Sequence, residues 1–285
     1  MVRRAFLFCA VVFSVALLGA QEPVVTLTPA VVVAGAPELI HVHAAGGALP
    51  TGEWLGQSLA FFPGMHAGDF FALAGVDVET RPGASKLTLH VSAAGEVTRT
   101  VEIHAARYRT GSLTVSPKFV EPDPEAQKQI AAEAELKKQV FSASAPQPLW
   151  SGSFRAPLAT AATDSFGTRR MFNGKLASVH KGADFHAGTG TPVHASNAGV
   201  VVIARPLYFE GNCVVIDHGM SLYSLSMHFS RIDVHEGDRV RTGQVIGLSG
   251  ATGRVTGPHL HWAVRWHNAY LDPVKLLKLN LNGLR

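Results

Sequence analysis

The sequence predicts a mainly β protein, with an N-terminal β-sandwich-like domain, a connecting helix and a second, glycine-rich β domain. Three observations carry this. Short segments with apolar residues at every second position recur between Gly, Pro and Ser turn signals on both sides of the middle of the chain. Between them, VEPDPEAQKQIAAEAELKKQVF is the stretch with helix caps and a continuous supply of helix formers. Neither GxxxxGKS nor GxGxxG follows a strand, which argues against a nucleotide-binding α/β architecture.

The 285 residues are enough for two domains. Charged residues make up 16% and the formal net charge is +4, so the chain favours acidic polymers but has no basic stripe of the nucleic-acid-binding kind. MVRRAFLFCAVVFSVALLGA has two arginines, an apolar run and a small-residue end, the pattern of a signal peptide spanning 1–20 and cut after Ala20. The run falls short of the roughly 20 apolar residues of a spanning helix. Cys9 lies within it and not after a small-residue site, which leaves little support for a lipid anchor. Cleavage leaves Cys213 alone, so the exported protein relies on its core or on a metal and not on a disulfide. In NCVVIDHG, Cys213 reads as a small buried strand residue.

Residues 21–108 are expected to form the β-sandwich-like domain. KLTLHV sets Leu87, Leu89 and Val91 on one face, and EVTRTVEIH sets Val97, Val101 and Ile103 on one face with Arg99 as an exception. His41, His43, His66, His90 and His104 are read as strand-surface histidines. His41 and His43 stand two apart, with no carboxylate expected in comparable company. Residues 109–152 hold the helix and a linker. Asp123 is the expected N-cap with Pro124 in the first turn, lysines gather at the far end, and Ala126, Ile130 and Ala134 mark one side. SASAPQPLWSG reads as the linker into the second domain, residues 153–285.

That domain collects a particular set of side chains. His180 and Asp184 stand in HKGAD, His228 in SLSMHFS, and His259 with His261 in GPHLH. In a strand, two residues separated by one point to the same face, so the last two imidazoles project together. Zinc favours imidazole and carboxylate ligands, and a catalytic zinc keeps three protein ligands and one open position. Two histidines and one aspartate meet that need. Two further histidines remain for proton transfer near neutral pH, namely His228 and the unused member of the HLH pair. HExxH, whose glutamate acts as the base in helical zinc sites, is absent.

HKGADF, SMHFS and VHEGDRVRTGQVIGLSGATGRVTGPHLHW, in that order and spacing, resemble the M23 family of zinc metallopeptidases, the lysostaphin-like or LytM-type peptidoglycan endopeptidases. The resemblance covers about Asp164 to Leu277. It implies a two-sheet, mostly antiparallel β metallopeptidase domain with Zn2+ at the floor of a groove. It also implies His180, Asp184 and His261 as metal ligands and His228 and His259 as catalytic residues. Met227 and Phe229 stand where the family commonly has tyrosine and leucine, which touches local packing only.

The resemblance implies an exported zinc endopeptidase of the periplasm or cell envelope, acting on peptide cross-links of peptidoglycan, with no nucleic-acid partner and no membrane span after signal cleavage. The chemistry is expected to reside in 153–285, with the N-terminal half dispensable for it. One alternative is a noncatalytic wall-binding regulator of other hydrolases, which predicts missing ligands. Another is a zinc hydrolase of a different amide. His186, His194, His218, His235 and His267 are expected outside the metal shell, His218 being placed to line the groove. Gly253, Gly257 and Pro258 shape the turn before HLH. Asn173, in RRMFNGK, is either a groove wall or a clasp holding the domain closed.

Overall fold

A computed structural model describes residues 22–92, 94–163 and 166–284, with the backbone alone at 175–177. The expected signal peptide and Asp164 lie outside the described residues.

The N-terminal part is a sandwich of two sheets. One has the order Val24–Thr28, Pro37–His43, Asp69–Gly75, Phe62–Pro63. The other has the order Val32–Val33, Gly95–His104, Gly83–Val91, Thr51–Trp54, Gln57–Leu59. The expected alternation holds in KLTLHV, where Leu87, Leu89 and Val91 are all buried. They share a core with Ile40, Val42 and Ala72 of the opposite sheet.

Asp123 caps helix α1 (Pro124–Phe141), accepting a hydrogen bond from the Ala126 amide at 2.8 Å. The packed side differs from the expected one, because Ala134 is exposed while Ile130, Glu133, Lys137 and Val140 are half-buried. Polar anchoring turns the helix. Lys137 Nζ meets Glu210 Oε1 at 2.7 Å, and Glu133 accepts from the Tyr208 amide at 2.9 Å. Leu136, Val140 and Phe141 then cover a small apolar cluster that includes Cys213, Tyr223 and Ala263.

The stretch after α1 is not a free tether. Ser144 Oγ and the Ala145 amide donate to the Asp217 carboxylate at 2.7 and 2.9 Å, and the Leu149 amide donates to the His218 carbonyl at 2.7 Å. Trp150 is buried, edge-on to Phe62 of the N-terminal sheet. A small sheet runs Thr110–Leu113, Arg169–Phe172, Lys175–Val179, so a strand from before α1 pairs with Arg169–Phe172 beside the site.

The C-terminal part is built on a nine-stranded sheet with the path Ala183–His186, His259–Trp266, Leu222–Ile232, Gly211–Asp217, Gly199–Leu207, Arg239–Val240. Its strand pairings are antiparallel along this path. In the HLH strand Leu260, Trp262, Val264 and Trp266 enter the main core. Burying a large apolar side chain is worth about 1.5–3 kcal/mol, so a one-residue slip would forfeit several such contributions and bury both histidines. The register that presents His259 and His261 to the groove is therefore enforced from the opposite face.

Candidate active site

Three adjacent strands assemble the site. The HLH strand lies between Ala183–His186, where Asp184 is directly opposite His261, and Leu222–Ile232, where Met227 is opposite His261 and His228 follows. His180 precedes the first of these. Its backbone is held at both ends, its amide donating to the Thr168 carbonyl at 2.8 Å and its carbonyl accepting from the Gly167 amide at 2.8 Å. HKGAD thus spans a turn that brings its histidine back over its aspartate.

His180 Nε2, His261 Nδ1 and Asp184 Oδ1 form a triangle with sides of 2.8, 2.9 and 3.1 Å. Two imidazole nitrogens and one carboxylate oxygen converging on one point are donors of the types that zinc takes. Gly182, the third residue of HKGAD, makes room, since a Cβ there would sit 2.5 Å from His261 Nε2. Arg170 donates to Asp184 Oδ2 at 2.9 Å, which orients the carboxylate and leaves Oδ1 to the histidines.

The electrostatics agree with a cation site. Burial works to raise the Asp184 pKa, but hydrogen bonds from His180 and His261 outweigh it and hold the carboxyl well below the usual range. Burial pushes His180 down to about 4 against the pull of Asp184, keeping the ring neutral and able to ligate.

The remaining pair is arranged differently. His228 Nδ1 donates to the Thr252 carbonyl at 2.8 Å and His259 Nδ1 to the Gly257 carbonyl at 2.8 Å. A carbonyl only accepts, so each ring carries its proton on Nδ1 and keeps the Nε2 lone pair free. The rings stand 5.0 Å apart, and His259 Nε2 is 3.8 Å from Asp184 Oδ1. Burial, followed by the neighbouring His261 and His259, lowers His228 to about 3. His228 also has φ +68°, a conformation non-glycine residues seldom adopt, so the fold spends strain to aim this side chain.

All five expected residues therefore meet in one place. His218 does not line the groove. It is fully buried, hydrogen-bonded to the Ala198 carbonyl and Ser224 Oγ, and held near pKa 4 by burial. Asn173 exchanges two 3.2 Å hydrogen bonds with the Val115 backbone, fastening the small sheet to the segment before α1. His186 stands opposite His259 in register and lies along the groove outside the metal triangle. Gly253 shapes its turn at φ +76°, pressed against the Gly211 backbone. Sequence reasoning missed Arg170, Gly182 and Glu210. Only Gly182 left a local signal, a glycine between two ligands.

The groove beside the triangle has a volume of about 230 Å3 and is bordered by Arg170, Phe209, Glu210, Met227, Arg254 and Tyr270. The Arg254 guanidinium sits between the Phe172 and Phe209 rings, 4.6 and 4.5 Å from their centres. It ties Phe172 and Phe209, from two separate segments beside the groove, together.

The model of peptidase family M23 matches residues 178–273, the span that holds all five residues. Residues 178–273 belong to peptidase family M23. The peptidoglycan DD-endopeptidase ShyA of Vibrio cholerae is 43% identical over 120 residues, 42% of this chain and 27% of that protein. The DD-carboxypeptidase/endopeptidase Mpg of Neisseria meningitidis is 42% identical over 98 residues, 34% of this chain and 23% of that one. The chain thus spans about a quarter of the length of these curated relatives. A solved chain from Pseudomonas aeruginosa, described as a peptidase M23, superposes with a TM-score of 0.68 at 27% identity, covering 86% of this chain and 94% of that one. The likeness therefore extends beyond the M23 match into the N-terminal sandwich. No helix among the described residues is long and apolar enough to cross a membrane.

Proposed function

We propose that this chain is an exported zinc endopeptidase that hydrolyses peptide cross-links of peptidoglycan. The observation that carries the reading is the division of four histidines into two kinds. His180 and His261 turn ring nitrogens onto Asp184, while His228 and His259 spend Nδ1 on backbone carbonyls and keep Nε2 free. The first set, His180, Asp184 and His261, would hold Zn2+, which when bound supplies a Lewis acid that polarises a carbonyl and acidifies water. His259 Nε2, beside Asp184, is positioned to accept a proton from the attacking water. His228 Nε2, across the groove, is positioned as a second hydrogen-bond acceptor that orients the attacking water. Arg170 holds Asp184 Oδ2 and keeps the carboxylate oriented throughout.

The substrate class rests on the relatives named as peptidoglycan DD-endopeptidases and on the envelope location that the signal peptide expected at 1–20 would give. A cationic chain suits an anionic wall polymer. The noncatalytic regulator predicts a broken ligand set, and this set is complete. Digestion of purified peptidoglycan with mass spectrometry of the released fragments tests the reading. Peptide-linked dimers converted to monomers by the wild type and not by His259→Ala is the expected result. Intact cross-links after digestion with zinc-loaded protein would overturn it.

A further inference from the structure

The N-terminal sandwich holds a second cluster of metal-ligating side chains. His41 and His43 lie on the outer face of the Pro37–His43 strand, since Ile40 and Val42 between and before them are buried. On the neighbouring strand Asp69 is directly opposite His43, and Phe71 opposite His41, so Asp69 shares that face. The two histidines lie on the strand surface as expected, but the expectation that no carboxylate accompanies them is overturned. Their carboxylate comes from a residue 26 positions away from His43, and only sheet pairing brings it in.

The geometry repeats that of the peptidase centre. His41 Nε2 and His43 Nδ1 lie 2.9 and 2.8 Å from the same oxygen, Asp69 Oδ1. In the peptidase site His180 Nε2 and His261 Nδ1 approach Asp184 Oδ1 in the same way, at 3.1 and 2.9 Å. In both clusters all three ligand atoms lie within 4.8 Å of one another. The His41 ring is fixed by stacking on Phe71, with centroids 4.6 Å apart and planes 16° from parallel. The cluster opens onto a surface depression of about 670 Å3, on whose lining His66 and Glu22 supply further donors.

We propose that His41, His43 and Asp69 form a second binding site for a divalent transition ion of the zinc, nickel and copper class, separate from the catalytic centre. Two imidazoles and one carboxylate select borderline ions over magnesium or calcium, and an exposed three-ligand site leaves room for water or a further donor. The ion bridges adjacent strands of the N-terminal sheet and so stabilises that domain. It has no part in the hydrolytic site.

Zinc stoichiometry of the untagged full chain tests this, measured by equilibrium dialysis of metal-free protein against zinc followed by elemental analysis. Wild type should hold two zinc ions per chain, His261→Ala one, His43→Ala one, and the double variant none. Asp69→Asn, close in shape to the native residue, should weaken the second zinc at least 10-fold, and thermal melting without metal should match wild type. Zinc should raise the melting temperature of His261→Ala and not that of the double variant. Peptidoglycan hydrolysis by His43→Ala should equal that of wild type. One zinc in wild type with none in His261→Ala would overturn the site, as would two zinc ions retained by both His43→Ala and Asp69→Asn. Because His261→Ala reports this site without the peptidase centre, a failure to cleave peptidoglycan is read separately from a failure of the second site.

Discussion

The two histidines of the HLH strand project from one face yet are proposed to do different work, and single substitutions separate them. His261→Ala removes one of three converging donors, so zinc content should fall and thermal stability with it. His259→Ala and His228→Ala leave the triangle whole. Zinc content should stay at the wild-type level while turnover drops about 10²–10⁴-fold, as expected for loss of a general acid or base. Metal analysis beside a rate assay on the same samples decides this, and zinc loss from His259→Ala would reverse the assignment. Arg170 acts through Asp184, the two being 2.9 Å apart. Arg170→Met should weaken zinc binding about 10- to 100-fold, readable by competition with a chelating dye.

Among the elements, the Pro37–His43 strand carries an unusual cost. Glu38 is fully buried, and neither carboxyl oxygen has a hydrogen-bond partner. Burial raises its pKa from 4.5 to about 8, against the pull of Lys275 on α2 (Pro273–Lys278). A carboxyl with a raised folded-state pKa binds a proton that the unfolded chain releases. Its contribution is thus intact below about pH 4.5 and is lost as pH rises towards 8, at up to about 1.4 kcal/mol per pH unit. Glu38→Gln should remove this slope and leave the variant more stable than wild type at pH 8 by a few kcal/mol, on the order of the shift. Urea unfolding of both proteins at pH 5 and pH 8 measures it. Equal pH dependence in the two would show that the buried acid finds a partner or ionises without cost.

At the scale of the whole molecule, the sandwich and the M23 domain share one apolar core. Trp150 packs on Phe62 and Phe154, a Cβ on Gly75 would meet Leu271, and the Tyr270 amide donates to Asp77 at 2.8 Å. A chain beginning at Ser151 keeps His180, Asp184, His228, His259 and His261 but loses Trp150, α1 and the Thr110–Leu113 strand. It should still bind zinc at the catalytic centre, with a melting temperature well below that of the full chain, and its cleavage should survive at temperatures where it is folded. Calorimetry with zinc analysis of the fragment checks this. A folded, zinc-loaded and inert fragment would place part of the catalytic machinery in the N-terminal half.

The sequence by itself determined the β character and the Asp123 cap of α1, and it supplied the five candidate residues that the fold brings together. These depend on periodicity, on cap chemistry and on ligand types held at short spacing, all of which are local. HKGAD and HLH each place two functional residues within five positions, and alternation along a strand does the rest. Tertiary structure alone decided what comes from a distance. Arg170 reaches Asp184 from a strand paired with Thr110–Leu113, and Asp69 reaches His41 and His43 from the next strand of its sheet. The side of α1 that packs was set by Glu210 and the Tyr208 amide, 73 and 75 positions from their partners. Pairing and register across a sheet are fixed by which apolar sets can be buried together, and that choice is made by the whole core at once and is written in no single segment.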